Sequence, residues 1–209
     1  TATLRGGVTA DAQGAVCVGY GALNQLTSGA GNVAVGYQAG YAITTGINNT
    51  AIGHMALYTA TVTTGQDEHT AVGFEALKTC SGERNTAVGA GAMSAVDNSD
   101  NCVAVGYEAL KTAGTTADGI DGATAIGYQS LTALTSGAGN VAVGFTSLSS
   151  CTSGGSNVAI GDTALRDIVT GGANVAIGRN AGQALGAAEN GNILIGMAAG
   201  QSLDEGTHG

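Results

Sequence analysis

One short string recurs along the whole chain, and this repeat is the feature that most constrains the fold. The string is Ala-Val/Ile-Gly, and eleven units carry it on a basic period of 17 residues with two clear insertions. A unit of this length cannot bury a core alone, so its apolar residues must pack against neighbouring units. The sequence therefore predicts a protein of stacked repeats. The repeat glycines are Gly19, Gly36, Gly53, Gly73, Gly89, Gly106, Gly127, Gly144, Gly161, Gly178 and Gly196.

Each position of the unit, counted from the repeat glycine, accepts few residue types. Position −1 is always Val or Ile, position −2 is Ala in nine units, and position −4 is Asn in seven. Position +1 is aromatic in six units, position +3 is always Ala or Ser, and position +4 is Leu in seven. A short β-branched run between Asn and Gly is typical of a strand between turns. The sequence predicts an all-β fold, a parallel β-solenoid or β-roll of about eleven 17-residue coils.

Stacked coils pair their strands about 4.8 Å apart, so identical positions should form ladders along the rod. We expect the Val/Ile ladder to fill the inside of the coil and the Asn ladder to hydrogen-bond along the stack. The repeat glycine should supply a positive φ or a close backbone approach. The predicted ladder residues are Val35, Ile52, Val88, Val143, Ile160 and Ile177 at position −1, and Asn32, Asn49, Asn85, Asn140, Asn157 and Asn174 at position −4.

The constant alanine at position −2 predicts contacts between chains. If Val/Ile points inward, alternation along the strand turns this alanine outward. A solvated position should vary and be polar, and a lone thin rod should need more charge than the 10% found here. We therefore expect a side-by-side homo-oligomer, most simply a trimer; the alternative is that Ala fits a tight corner of a single coil. The predicted oligomer contacts are Ala34, Ala51, Ala87, Ala104, Ala142, Ala159 and Ala176.

Composition excludes several classes of protein. Six Lys and Arg against fifteen Asp and Glu give a net charge of −9, which argues against nucleic acid as a partner. No apolar run approaches the length of a membrane span, so no membrane insertion is expected. The chain begins at Thr1, and we interpret it as a processed chain or a piece of a longer one. We expect an N-terminal cap or continuation over 1–13, the solenoid over 14–200 and a polar tail over 201–209.

The histidines do not predict an enzyme. His54 occupies the aromatic position +1, His69 occupies the Asn position −4, and His208 lies in the tail. Nothing in their spacing suggests a Ser-His-Asp arrangement. The sequence therefore predicts neither catalysis nor a cofactor.

The four cysteines, Cys17, Cys80, Cys102 and Cys151, lack the spacing of a metal site. Cys80 and Cys151 occupy equivalent positions four coils apart, roughly 19 Å at the strand spacing. That is too far for a disulfide within one rod, since the Cα atoms must approach within about 7 Å. We interpret the cysteines as small buried thiols, with bonds between chains of an oligomer as the alternative.

Two insertions, 58–69 and 111–122, leave the unit at the same corner and carry acidic residues. Insertions in solenoids bulge on one face, often the binding face. Calcium takes six to eight oxygen ligands, and each loop offers only a few. The simplest interpretation is solvated loops, with calcium or saccharide contact as alternatives. The weak calcium candidates are Asp118 and Asp121 in the second insertion, and Asp97 and Asp100 in a third acidic loop at 97–101.

Two groups of fibrous proteins resemble this repeat. Asn-Val-Ala-Val-Gly at 32–36 and 140–144, and Asn-Val-Ala-Ile-Gly at 157–161 and 174–178, resemble the head repeats of trimeric autotransporter adhesins, which are trimers of left-handed parallel β-rolls on bacterial surfaces. The longer unit here, as in 104–110, looks still more like repeats of phage tail fibres. Autotransporter heads use a shorter unit, so the cross-section of the coil must differ.

The resemblance implies an extracellular structural protein, a shaft or head segment of an extended trimeric fibre on a virion or cell surface. The first expectation is a phage tail fibre involved in host attachment, with copies of itself as partners and a host surface glycan as a further candidate. A second is a bacterial surface adhesin or extracellular filament subunit that binds carbohydrate or matrix. A third is an ice-binding solenoid, suggested by a Thr/Ser row before the turn glycine, but Ser and Thr mix there and the insertions break the row.

Overall fold

The computed structural model describes residues 12–60, 68–96, 98–113 and 119–201. Eleven parallel strands, one from each repeat, form a single sheet in which the order of strands follows the chain. The chain is thus an all-β parallel solenoid, as the repeat predicts. No helix in the described ranges is long and apolar enough to cross a membrane. The predicted cap over 1–13 and tail over 201–209 lie almost entirely outside the described residues.

The strands of the main sheet are three residues long, and four shorter strands form two small parallel sheets, β4 with β6 and β8 with β10. The strands are β1 Val16–Val18, β2 Val33–Val35, β3 Thr50–Ile52, β4 Thr59–Ala60, β5 Thr70–Val72, β6 Thr79–Cys80, β7 Thr86–Val88, β8 Ala95–Val96, β9 Val103–Val105, β10 Thr112–Ala113, β11 Thr124–Ile126, β12 Val141–Val143, β13 Val158–Ile160, β14 Val175–Ile177 and β15 Ile193–Ile195.

The register of the main sheet places identical repeat positions side by side. Ala34 of β2 pairs with Ala51 of β3, and the same position pairs in every later coil. The register also survives both insertions, since β3 pairs directly with β5 and β9 with β11. Identical positions therefore stack along the rod as predicted, and the main sheet keeps its register across both insertions.

The orientation of the strands is the reverse of the predicted one. The alanines at position −2 point into the coil, whereas the residues at position −1 point outward. Among the inner coils the most exposed of these outward side chains, such as Ile52 and Ile160, are 37–39% exposed. The predicted interior ladder of Val35, Ile52, Val88, Val143, Ile160 and Ile177 is wrong, because these side chains are half-buried or exposed. The predicted oligomer contacts are wrong for the same reason: Ala34, Ala51, Ala87, Ala104, Ala142, Ala159 and Ala176 are all buried in their own coil.

The physical reason is the narrow interior of the coil. Leucines at position +4, such as Leu57 and Leu110, and apolar residues further on, such as Leu26 and Ile43, are completely buried and fill the space opposite the strand. Only a small side chain fits on the strand itself, since protein interiors are close-packed. This agrees with the alternative interpretation, in which Ala fits a tight part of a single coil.

The repeat glycines meet both of the predicted requirements. Their φ angles lie between +125° and +144°, a region that L side chains rarely adopt. A Cβ at Gly127 would also lie 2.2 Å from the carbonyl oxygen of Gly144 in the next coil, and the other inner glycines of the column are equally close to their neighbours. The column of glycines is therefore where successive coils touch through backbone alone.

Position +4 combines backbone strain with burial. Leu57 and Leu110 have φ near +52°, in the left-handed region. This conformation costs about 1–2 kcal/mol per residue, comparable with the gain of about 1.5–3 kcal/mol from burying a leucine side chain. Gly40 and Gly182 replace Leu at this position with φ of +59° and +57°. Leucine is thus retained where the core needs volume, although the turn alone favours glycine.

Replacing Gly127 by Ala should destabilise the protein far more than replacing Gly196 by Ala. Both glycines have similar φ, +131° and +125°, but a Cβ at Gly196 meets no atom of the described residues within 4 Å. Gly196→Ala should therefore cost only the backbone strain, about 1–3 kcal/mol, and Gly127→Ala should cost this strain plus the displacement of a neighbouring coil, at least about 2 kcal/mol more. Urea unfolding followed by far-ultraviolet circular dichroism measures both. Equal losses of stability would contradict the backbone contact.

Candidate functional site

The asparagines at position −4 form a buried hydrogen-bonded ladder, as predicted. Asn157 Oδ1 accepts hydrogen bonds from the backbone N and from Nδ2 of Asn174, both at 3.0 Å, and Asn157 Nδ2 donates to Gly171 O at 2.9 Å. The same pattern links Asn32 to Asn49. Each amide closes a turn and bonds to the next coil, so the ladder holds the stack together. The other members of the second run are Asn140, Asn174 and Asn192.

His69 replaces asparagine in this ladder, and its ring nitrogen takes the place of the asparagine Oδ1 as the hydrogen-bond acceptor. Its ring is 1% exposed, and its Nδ1 accepts a hydrogen bond of 3.2 Å from the backbone N of Asn85. Burial is the main cause that lowers the pKa of His69 to about 4, while two turn backbone hydrogen bonds and the nearby Asp100 and Glu83 act weakly in the opposite direction. His69 is therefore neutral at neutral pH and carries the ladder across the fourth coil.

Cys80 lies beside His69, with 3.7 Å between its Sγ and His69 Nε2, and Asn85 Nδ2 is 3.5 Å from the same sulfur. Sequence reasoning missed this pairing because the two residues belong to different positions of the repeat. A Cys-His pair can act as a nucleophile and base. Here Cys80, His69 and Asn85 are all buried at 0–1% exposure, so the group is part of the core rather than a surface site.

The cysteines agree with the interpretation as small thiols. None of the four forms a disulfide, and Cys80, Cys102 and Cys151 are buried while Cys17 is half-buried. Burial raises the pKa of the Cys102 thiol to about 11, and this thiol donates to Ile120 O at 3.3 Å. Its thiolate is thus scarce at neutral pH, and thiolate is the reactive form.

The acidic candidates are only partly described. Asp121 Oδ1 accepts from the backbone N of Asp100 at 2.9 Å, and Asp100 Oδ1 accepts from the backbone N of Glu83 at 2.8 Å. These carboxylates therefore cap turns in successive coils. Asp97 and Asp118 lie outside the described residues. Within the described ranges, no group of three or more His, Cys, Asp or Glu could hold a metal ion.

The aromatic residues at position +1 form an exposed column along one corner of the rod. Successive rings are 5.0–5.7 Å apart between centroids and 10–19° from parallel. Stacking at this spacing is favourable beyond the area that it buries. The column is interrupted at Ala90 in the fifth coil and ends after the eighth. Its rings are Tyr20, Tyr37, His54 and Phe74, followed by Tyr107, Tyr128 and Phe145.

The outward residues of the eleven strands, at positions −3 and −1, form a second exposed surface, called here the outer sheet face. Position −1 contributes Val or Ile in every coil, and position −3 contributes Val, Thr or Ile. With strands about 4.8 Å apart, this face runs about 50 Å along the rod. Soluble monomers rarely expose a contiguous apolar patch of more than a few hundred Å². The outer sheet face is therefore the leading candidate for an interaction surface.

These features place the chain in the class of parallel β-solenoid repeat proteins. Comparison of the chain with protein-family models, with curated proteins and with solved structures finds no match. The function therefore has to be argued from the surfaces of this chain alone.

His69 should make stability depend on pH, and His69→Asn should remove that dependence. A pKa of about 4 in the folded protein against 6.5 in the unfolded chain means that the unfolded state binds more protons between these values. Stability should therefore fall as pH drops from about 6.5 to 4, by up to about 3 kcal/mol. His69→Asn restores the usual residue of the ladder and removes only the titratable ring, so it is a matched control for the pH dependence. Urea unfolding at pH 7, 5.5 and 4.5 compares the two proteins; an identical pH dependence would contradict the buried neutral histidine.

Proposed function

We propose that this chain is a structural segment of an extended trimeric fibre, a shaft or head of a phage tail fibre that serves host attachment. The observation that carries the proposal is the outer sheet face. It presents a column of Val and Ile along the rod, with Ile52, Ile126 and Ile160 each 39% exposed in the isolated chain. A side-by-side assembly covers this face, whereas an isolated rod leaves it in water.

The geometry of the face suits lateral association of identical rods. The face is about 50 Å long and about 10 Å wide from three-residue strands, and the aromatic column runs beside it. In a closed ring every chain uses the same two surfaces, one for each neighbour. The periodic side chains of one copy can therefore pack between those of the next. A trimer buries the face of each chain toward a common axis. The proposed contacts between chains are therefore made by the Val/Ile column and not by the alanines.

The mechanical role follows from the bonding along the axis. Every coil bonds to the next through strand pairs and through backbone amides such as Gly36 N to Val18 O at 2.8 Å, and the asparagine ladder adds bonds where position −4 is Asn. Contacts between coils form a one-dimensional array, in which each coil stabilises its neighbours. Such a rod resists bending and shear, and it can carry a terminal binding region away from the particle or cell that bears it.

Two other functions remain as alternatives with different support. The exposed aromatic column favours a surface adhesin or filament subunit, because aromatic edges are common at binding surfaces. The ice-binding alternative is weaker. In the Thr/Ser row before the turn glycine, the Thr170 hydroxyl donates to Ala187 O of the next coil at 3.5 Å, and Ser81 Oγ accepts from the backbone N of Asn98 at 2.9 Å. These hydroxyls are therefore engaged within the rod.

The native molar mass should be three times the chain mass of 20.1 kDa by size exclusion with light scattering. The double variant Ile126→Glu and Ile160→Glu places two carboxylates on the outer sheet face and should reduce the mass to that of one chain, since buried unpaired charges are costly. A matched control, Ala138→Glu with Ser153→Glu, adds the same charge on exposed turns and should leave the mass unchanged.

Circular dichroism should show the same β signal for both variants. A wild-type chain that is monomeric at all concentrations would contradict the fibre proposal. So would a trimer that both double variants leave intact, since its contacts would then lie elsewhere.

A further inference from the structure

The aromatic column is interrupted by a notch one coil wide. In the fourth and sixth coils, positions +1, +2 and +5 hold a large aromatic, a glutamate and a lysine. In the fifth coil the same three positions hold Ala90, Gly91 and Ser94. All three large side chains are thus replaced by small ones in a single coil, between two coils that keep them. The flanking residues are Phe74, Glu75 and Lys78 on one side and Tyr107, Glu108 and Lys111 on the other.

The notch has room for one six-membered ring. It is an open cavity of about 120 Å³, with the Phe74 and Tyr107 rings on opposite sides and Gly91 among the residues that line it. The two rings belong to coils two strand spacings apart, about 10 Å. Elsewhere in the column, neighbouring rings lie 5.0–5.7 Å apart. A ring placed in the notch therefore sits about 5 Å from each wall, the spacing at which rings pack favourably.

The walls of the notch are held in place before any ligand arrives. Phe74 stacks on His54 at 5.3 Å, and Tyr107 stacks on Tyr128 at 5.4 Å, so each wall is supported from behind. Phe74 is nevertheless 55% exposed. A site whose walls are already ordered loses little conformational entropy on binding.

The rim of the notch is charged and fixed. Glu108 accepts from Lys111 Nζ at 2.6 Å and from Gln129 Nε2 at 2.8 Å, and Glu75 accepts from Lys78 Nζ at 2.9 Å. The ligand must therefore combine apolar faces with a polar edge. A pyranose ring does so, because its faces present C–H groups to the aromatic walls and its hydroxyls reach the carboxylates and the amine. Hydrogen bonds to such charged groups are the stronger kind. A purely apolar ring would gain nothing from this rim.

We propose that this notch binds one hexopyranose unit of a saccharide, sandwiched between Phe74 and Tyr107 with its hydroxyls on the Glu75, Glu108 and Lys111 side chains. The site lies within a single chain, so the proposal does not depend on the fibre assignment. It gives the rod a binding activity of its own along its side, in addition to any region at its end.

Saturation-transfer difference NMR with the methyl glycosides of glucose, galactose and N-acetylglucosamine tests the site on the full chain. At least one glycoside should bind saturably in the millimolar range, as suits a ligand of about 13 to 16 non-hydrogen atoms. Ala90→Phe completes the column and fills the notch, so it should weaken binding at least tenfold, and Phe74→Ala should do the same. Tyr20→Ala removes a ring of the same column four coils away, about 19 Å, and should leave binding unchanged.

Circular dichroism shows whether each variant is folded, and light scattering gives its molar mass, so loss of the site can be told apart from misfolding or a change of assembly. No saturable binding of any of the three glycosides would overturn the proposal, as would binding that Ala90→Phe leaves unchanged. A lower molar mass for Ala90→Phe would show that another chain fills the notch, and would also overturn it. Loss of binding with the mass unchanged supports the notch whether or not the native chain is a trimer.

Discussion

The contact between successive repeat glycines is the constraint on which the rest of the structure depends. At Gly127 and its equivalents, the backbone of one coil lies against the carbonyl of the next with no room for a Cβ. This contact fixes the distance and register between coils at one corner. Strand pairing and the asparagine ladder then repeat the same spacing elsewhere in the coil. Three rows of contacts between successive coils therefore share one period.

The sequence predicts the solenoid, the register and the ladder, because each depends on what recurs at a fixed spacing. It does not by itself predict which side of the strand faces inward. Alternation says only that positions −1 and −2 lie on opposite sides, and residue size favours Val and Ile for the core. The signal that identifies the outside is position +1, on the same side as −1, where Asp162 and Arg179 replace the aromatic residue. Charged residues do not occupy the interior of so narrow a coil.

The residues that depart from the repeat pattern produce the features that distinguish one coil from another. His69 and Cys102 replace asparagine in the ladder, and both remain buried and bonded within the stack. In the sequence, His69 ends the first insertion and Cys102 lies in the unit that precedes the second. Ala90 differs from these two residues, because it replaces an exposed aromatic side chain with a small one and leaves a gap on the surface. The spacing of the repeat shows the loss of side-chain volume at Ala90, Gly91 and Ser94. The His69 and Cys80 contact and the walls of the notch depend on how side chains of adjacent coils lie in space, which spacing does not give.

The alanines of position −2 lie inside the coil and the Val and Ile of position −1 face outward. We propose that neighbouring chains cover these Val and Ile side chains. Methyl NMR of the native protein with a soluble paramagnetic agent tests both statements most directly. The account predicts that the Ala methyl groups of position −2 are protected by their own coil, and that the Ile methyl groups of position −1 in the inner coils are protected by adjacent copies. Strong relaxation of the Ala methyl groups would contradict the coil, and strong relaxation of the Ile methyl groups would contradict the covered face.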